Sequence, residues 1–128
     1  SAQNSRSIIA DAEIRSVYTI FVKPIIDARI HGTKSGDDHL FALLNDIMGI
    51  TCKVLEQFRG HLCQFVVDDK GVVLIATFGQ RGATFPNLVA EKGLPCTIAI
   101  HDALKINLDI GSQIGATFGK AYVGIVGG

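Results

Sequence analysis

"HLCQFVVDDKGVVLIATFG", residues 61–79, decides the architecture. A run rich in Val and Phe meets Asp68-Asp69-Lys70-Gly71, and a second such run follows and ends at Gly79. Such residues favour strands and Asp and Gly favour turns, so the stretch reads as a β-hairpin. The acidic pair poses a choice between a turn and a set of metal ligands. Asp tolerates turn geometry and Gly supplies a positive φ, so a turn is the expectation.

Working back from the hairpin, Leu40, Leu43, Leu44, Ile47, Thr51, Val54, Leu55 and Phe58 recur at spacings of three and four. That is the apolar face of one helix. Ser35 or Asp37 is suited to cap it, and Asp37 and Asp38 suit the positive end of its dipole. Arg59-Gly60 ends it, with Gly in the usual stop position. Gly49 in its middle costs about 1 kcal/mol against Ala and leaves room for another backbone. Further back, "SVYTIFVK", residues 16–23, reads as a strand ending at Pro24, and residues 24–36 as a loop. Residues 1–15 read as an arm or linker.

Working forward, "GQRGATFPNLVAEKGLP" reads as a long loop. A second helix is expected from near Pro95, a good first helical residue, to about Leu108. Cys96, Ala99, Ile100, Ala103 and Leu104 mark its buried side. "IGATFGKAYVGIVGG" at the end reads as strand, Gly119-Lys120 turn, strand. The order is β-α-β-β-α-β with a further strand. That is an α/β (α+β) chain with a ferredoxin-like antiparallel sheet and both helices on one face.

The 128 residues suit one domain with a core that needs no disulfides. Hydrophobic residues make up 48% and charged ones 19%, a globular balance. Twelve basic residues offset twelve acidic ones, which gives no electrostatic case for nucleic acid or an anionic membrane. No apolar run approaches the ~20 residues that span a bilayer. The three cysteines, Cys52, Cys63 and Cys96, fit neither a disulfide framework nor a CxxC zinc site, which points to a reducing, cytoplasmic setting. A start without Met suggests a piece of something longer.

Three stretches, taken with the element order, resemble a class III nucleotidyl cyclase homology domain, the family of adenylyl and guanylyl cyclases. They are "TIFV" in the first strand, "LEQFRGHLCQF" from helix into strand, and "IGATFGKAYVGIVG", with Gly115, Gly119, Gly124 and Gly127 at the family's offsets. The resemblance covers residues 15–127, and residues 16–128 are then a partial cyclase homology domain. The hairpin with "DKG" in its turn is most similar to the second cyclase domain of soluble, bicarbonate-responsive adenylyl cyclases. There two unequal cyclase domains pair face to face.

The resemblance implies a reaction in which a 3′-hydroxyl attacks the α-phosphate and pyrophosphate leaves. Two divalent metals, Mg or Mn, are held by two Asp. At the first metal position this sequence has Lys23, and an ammonium does not ligate a hard cation. Asp27 lies four residues on. The register of the second metal position falls on Asp68, near the hairpin's far tip. No metal is therefore expected in this chain, and the metals belong to a partner domain. The family's base-reading Lys falls on Gln64. Its amide both donates and accepts, so it suits a purine edge, and it serves equally as a polar residue facing a dimer cleft. The resemblance thus implies the metal-free half of an adenylyl cyclase that makes cyclic AMP from ATP. The alternatives are an inert pseudo-cyclase domain that regulates or dimerises, and a guanylyl cyclase half acting on GTP.

Other features have plainer readings. The histidines His31, His39, His61 and His101 show no helical pairing, and Lys120 lacks a phosphate-loop pattern around it. Gly111, Gly115, Gly119, Gly124 and Gly127 are expected to serve tight turns or close backbone approach. Cys63 is expected as a small buried hydrophobe. In the hairpin, Phe65, Val67, Val72 and Leu74 alternate with Val66, Val73 and Ile75, so both sheet faces are apolar. A strand with one wet face alternates apolar with polar, so a partner domain or a second copy is expected on the face without helices.

Overall fold

The computed structural model describes residues 13–26, 34–68, 71–80 and 87–123. Four strands and two α-helices follow in the order β1 (Glu13–Pro24), α1 (Lys34–Phe58), β2 (His61–Asp68), β3 (Gly71–Phe78), α2 (Leu94–Leu108) and β4 (Ser112–Val123). The sheet order is β2-β3-β1-β4, with all three pairings antiparallel. This is the ferredoxin-like arrangement, with both helices on one face.

Alternation along the central strands builds the core. Tyr18, Ile20 and Val22 of β1 and Val72, Leu74, Ala76 and Phe78 of β3 are buried under the helices. From above, α1 contributes Ile47, Val54 and Leu55, and α2 contributes Cys96, Ile100 and Leu104. Each fully buried aliphatic or Phe side chain contributes roughly 1.5–3 kcal/mol. The helix faces predicted from spacing are the ones that pack.

Several boundaries differ from the sequence reading. β1 begins at Glu13 and includes Pro24, because β4 supplies a partner along its whole length. The segment before α2 is not all loop: a short π-helical turn, Val89–Gly93, runs directly into it. Gly119 and Lys120 form no turn, since they pair with Val17 and Ser16 inside one continuous strand.

The end of α1 corrects the reading of Gly60. Arg59, not Gly60, takes the left-handed conformation, with φ 62°. The Gly60 N–H donates to Leu55 O at 2.8 Å and the Arg59 N–H to Glu56 O at 3.2 Å, the paired bonds of a Schellman end. Gly60 is required for space instead, since a Cβ there would lie 2.6 Å from the Phe78 ring. Gly115 and Gly119 serve neither a turn nor close approach within the chain, for a Cβ at either meets nothing within 4 Å. The same is true of Gly49.

The hairpin is present as read, with Asp68 opposite Gly71, which has φ +128°. Asp69 and Lys70, the middle of the predicted turn, lie outside the described residues, as do Asp27 and His31.

Candidate functional site: the open face of the sheet

The face of the sheet away from the helices carries the second set of alternating side chains. Its central row is fixed by register. Gln64 of β2 lies opposite Ile75 of β3, Ile75 opposite Phe21 of β1, and Phe21 opposite Gly115 of β4. In the next row, His61 faces Thr77, Thr77 faces Thr19, and Thr19 faces Thr117. Phe21 is 40% exposed and Val66 42%. A shallow apolar floor, with polar groups toward its β2 rim, is open to solvent.

Gln64 reaches this face because β2 is irregular. The register slips by one residue between Leu62, opposite Ala76, and Gln64, opposite Ile75. Cys63 is the extra residue of a β-bulge, a device that re-aims side chains. Without the slip, Gln64 would turn toward the helices and Phe65 away from them. With it, Leu62 and Phe65, three residues apart, both pack against the core. Cys63 is exposed, contrary to the expectation of burial, because the bulge expels it. The sequence signal was that three-residue spacing of Leu62 and Phe65 where a regular strand needs two.

A short polar relay anchors the bulge. Thr77 Oγ1 donates to Gln80 Oε1 at 3.1 Å. Cys63 Sγ lies 3.3 Å from Thr77 Oγ1. A hydroxyl has one hydrogen, and Thr77 commits it to Gln80, so the thiol is the donor. The His61 carbonyl, at 3.8 Å from Sγ, is the more distant acceptor. Sequence reading singled out none of Phe21, Thr77 and Gln80.

Lys23 is exposed near the end of β1, opposite Gln113. It shares the open face with Gln64 but lies two strands away, roughly 10 Å across the sheet. The two residues on which the family comparison turned therefore occupy one face without touching. Asp68 ends β2 at the tip of the hairpin, far along the strand from that row. Among the described residues, no three His, Cys, Asp or Glu side chains lie together as a metal site would require. An ammonium at position 23 does not fit a divalent cation, which takes oxygen ligands. Among the described residues, no helix is long and apolar enough to cross a membrane.

No protein-family model matches the chain, and no curated protein matches it in sequence. Solved structures do match in shape. A dimeric guanylyl cyclase domain of the RhoGC fusion protein from the aquatic fungus Blastocladiella emersonii aligns with TM-score 0.69 and 18% identity, over 92% of this chain and 65% of that one. A bacterial light-regulated adenylyl cyclase aligns with TM-score 0.62 and 14% identity, over 84% of this chain and 55% of that one. The adenylyl cyclase CyaB from P. aeruginosa gives 0.60 and 16%, over 87% and 58%. A monomeric form of the Blastocladiella domain matches as well, at 0.65. The fold is that of a class III nucleotidyl cyclase homology domain. The chain spans about two thirds or less of the length of these structures.

Proposed function

We propose that this chain is the metal-free half of a nucleotidyl cyclase pair. Its open sheet face docks against a metal-bearing cyclase domain, and a nucleoside triphosphate lies in the cleft between them. The observation that carries this reading is the open face itself. It combines an apolar floor, Phe21, Val66, Val73 and Ile75, with the outward Gln64, on a fold whose relatives are cyclases. An apolar sheet face left in water is unfavourable, and a partner domain offsets that.

Within the pair, Gln64 contacts the purine edge, and ATP is the substrate with cyclic AMP and pyrophosphate as products. The metals, Mg or Mn, belong to the partner, where they would polarise the attacking hydroxyl and neutralise the leaving charge. Lys23 leaves no room for that chemistry on this side. The same residue supports a second reading, a pseudo-cyclase domain that pairs and regulates without contacting the reacting atoms. A guanylyl cyclase half is the third, since a Gln amide serves guanine as well as adenine.

The test is reconstitution. The chain is mixed with a class III domain that keeps both metal-binding carboxylates and is inactive alone, and cyclic nucleotide is measured with Mg or Mn and ATP or GTP. Product from the mixture and none from either part is the expected result. Binding without product selects the regulatory reading. Product from this chain alone contradicts the proposal.

A further inference from the structure

We propose that Gln80, oriented by Thr77, is a second hydrogen-bond donor on the open face, placed to meet an acceptor of a purine nucleotide. The inference rests on the reading of that face as a nucleotide cleft and adds a contact residue to it. The Gln80 amide is not free to choose its orientation. Its Oε1 accepts the Thr77 hydroxyl at 3.1 Å, and Thr77 in turn accepts the Cys63 thiol at 3.3 Å. The one hydroxyl hydrogen of Thr77 is thereby directed to Gln80. An amide whose oxygen is consumed turns its NH2 group, with two donors, away from that bond. Thr77 lies on the open face, in the row next to the one that holds Gln64, so the Gln80 amide bound to it lies on that face too.

Thr77 suits this positioning task. It is a buried polar residue, 8% exposed, on a central strand. Both its hydrogen and one of its lone pairs are committed. Gln64 and Gln80 then differ in what they offer. Gln64 is an exposed amide able to donate or accept. Gln80 offers donors only, which fits an acceptor on the base, a ring nitrogen or a carbonyl. Loss of one neutral hydrogen bond weakens binding roughly two- to tenfold.

Side-chain amide signals in a nitrogen-15 spectrum of the full chain test this in two arms. In the free chain, Thr77→Val shifts the Gln80 NH2 signals and Thr77→Ser restores them, while those of Gln64 stay in place. An unmoved Gln80 in Thr77→Val overturns the relay whatever nucleotides do. In the second arm the labelled chain, mixed with the unlabelled metal-bearing class III domain of the reconstitution, is titrated with MgATP, MgGTP and magnesium pyrophosphate. Both amides are expected to move with a nucleotide and neither with pyrophosphate, and Gln80→Glu is expected to weaken the nucleotide response about fivefold. Movement of Gln64 without Gln80 overturns this inference and leaves the cleft reading intact. Movement with pyrophosphate alone overturns base contact. A spectrum in which neither amide responds to any of the three contradicts the cleft reading and the Gln80 contact together.

Discussion

One added methyl group has opposite consequences at Gly93 and at Gly115. At Gly93 a Cβ would lie 2.5 Å from the Tyr18 ring, which is buried and whose hydroxyl lies 3.3 Å from Thr97 Oγ1. At Gly115 it meets nothing within 4 Å. Gly93→Ala should therefore destabilise by about 1–3 kcal/mol, the range of overpacked cores. Gly115→Ala should be neutral or stabilise by up to about 1 kcal/mol, by restricting the unfolded chain. Urea unfolding of both variants checks this, and equal losses would contradict the packing described. Burial separates two thiols in the same way. It pushes the Cys96 thiol up to about 12 from 9.0, whereas Cys63 is exposed. A folded-state pKa raised above the unfolded value means that the native chain keeps a proton the unfolded chain releases. That contribution is complete below pH 9.0 and declines as pH rises toward about 12. Cys96→Ala should lower stability at neutral pH but flatten its fall across that alkaline window, read by denaturant midpoints against pH. In the native chain, a maleimide should modify Cys63 readily and Cys96 only on global unfolding.

The hairpin was legible in the sequence because turn residues and strand residues sat where local chemistry wants them. The helices were legible from their spacing. What was not legible came from tertiary pairing overriding a local signal. Gly119-Lys120 looks like a turn in isolation, yet β1 offers an unbroken ladder against it, from Glu13 opposite Val123 to Pro24 opposite Ser112. Gly60 looks like a helix stop, yet Arg59 takes that role and Gly60 makes room for Phe78. The bulge escaped notice because Val66 and Val67 fit either face. Once seen, it yields a prediction. Deleting Cys63 removes the expelled residue and leaves a regular alternation, with Leu62 and Phe65 still inward and Gln64 still outward. The deletion variant should fold cooperatively, and a thiol placed by Gln64→Cys in it should stay open to maleimide. An unfolded chain, or a masked thiol at position 64, would show that β2 does not carry the bulge. Of the candidate site, sequence comparison located Gln64 and Lys23, and both are on the open face. Phe21, Thr77 and Gln80 needed the register, because no local pattern joins β1 to the distant end of β3.

At the scale of the whole molecule, the described residues form a four-stranded sheet with two helices on one side and leave the other side unfilled. Phe21, Ile75, Val73 and Val66 line it. A soluble single chain rarely exposes such a contiguous apolar area without a use for it. Without the partner domain proposed above, the chain is expected to pair with a second copy through this face and to show no cyclase activity by itself. The most direct measurement is sedimentation equilibrium over a wide concentration series, for the unmodified chain and for Phe21→Lys, which places a charge at the centre of the face without touching the core. A concentration-dependent dimer is expected for the former and a folded monomer for the latter. A strictly monomeric, soluble unmodified chain at the highest concentrations, or a dimer indifferent to Phe21→Lys, would contradict pairing through this face.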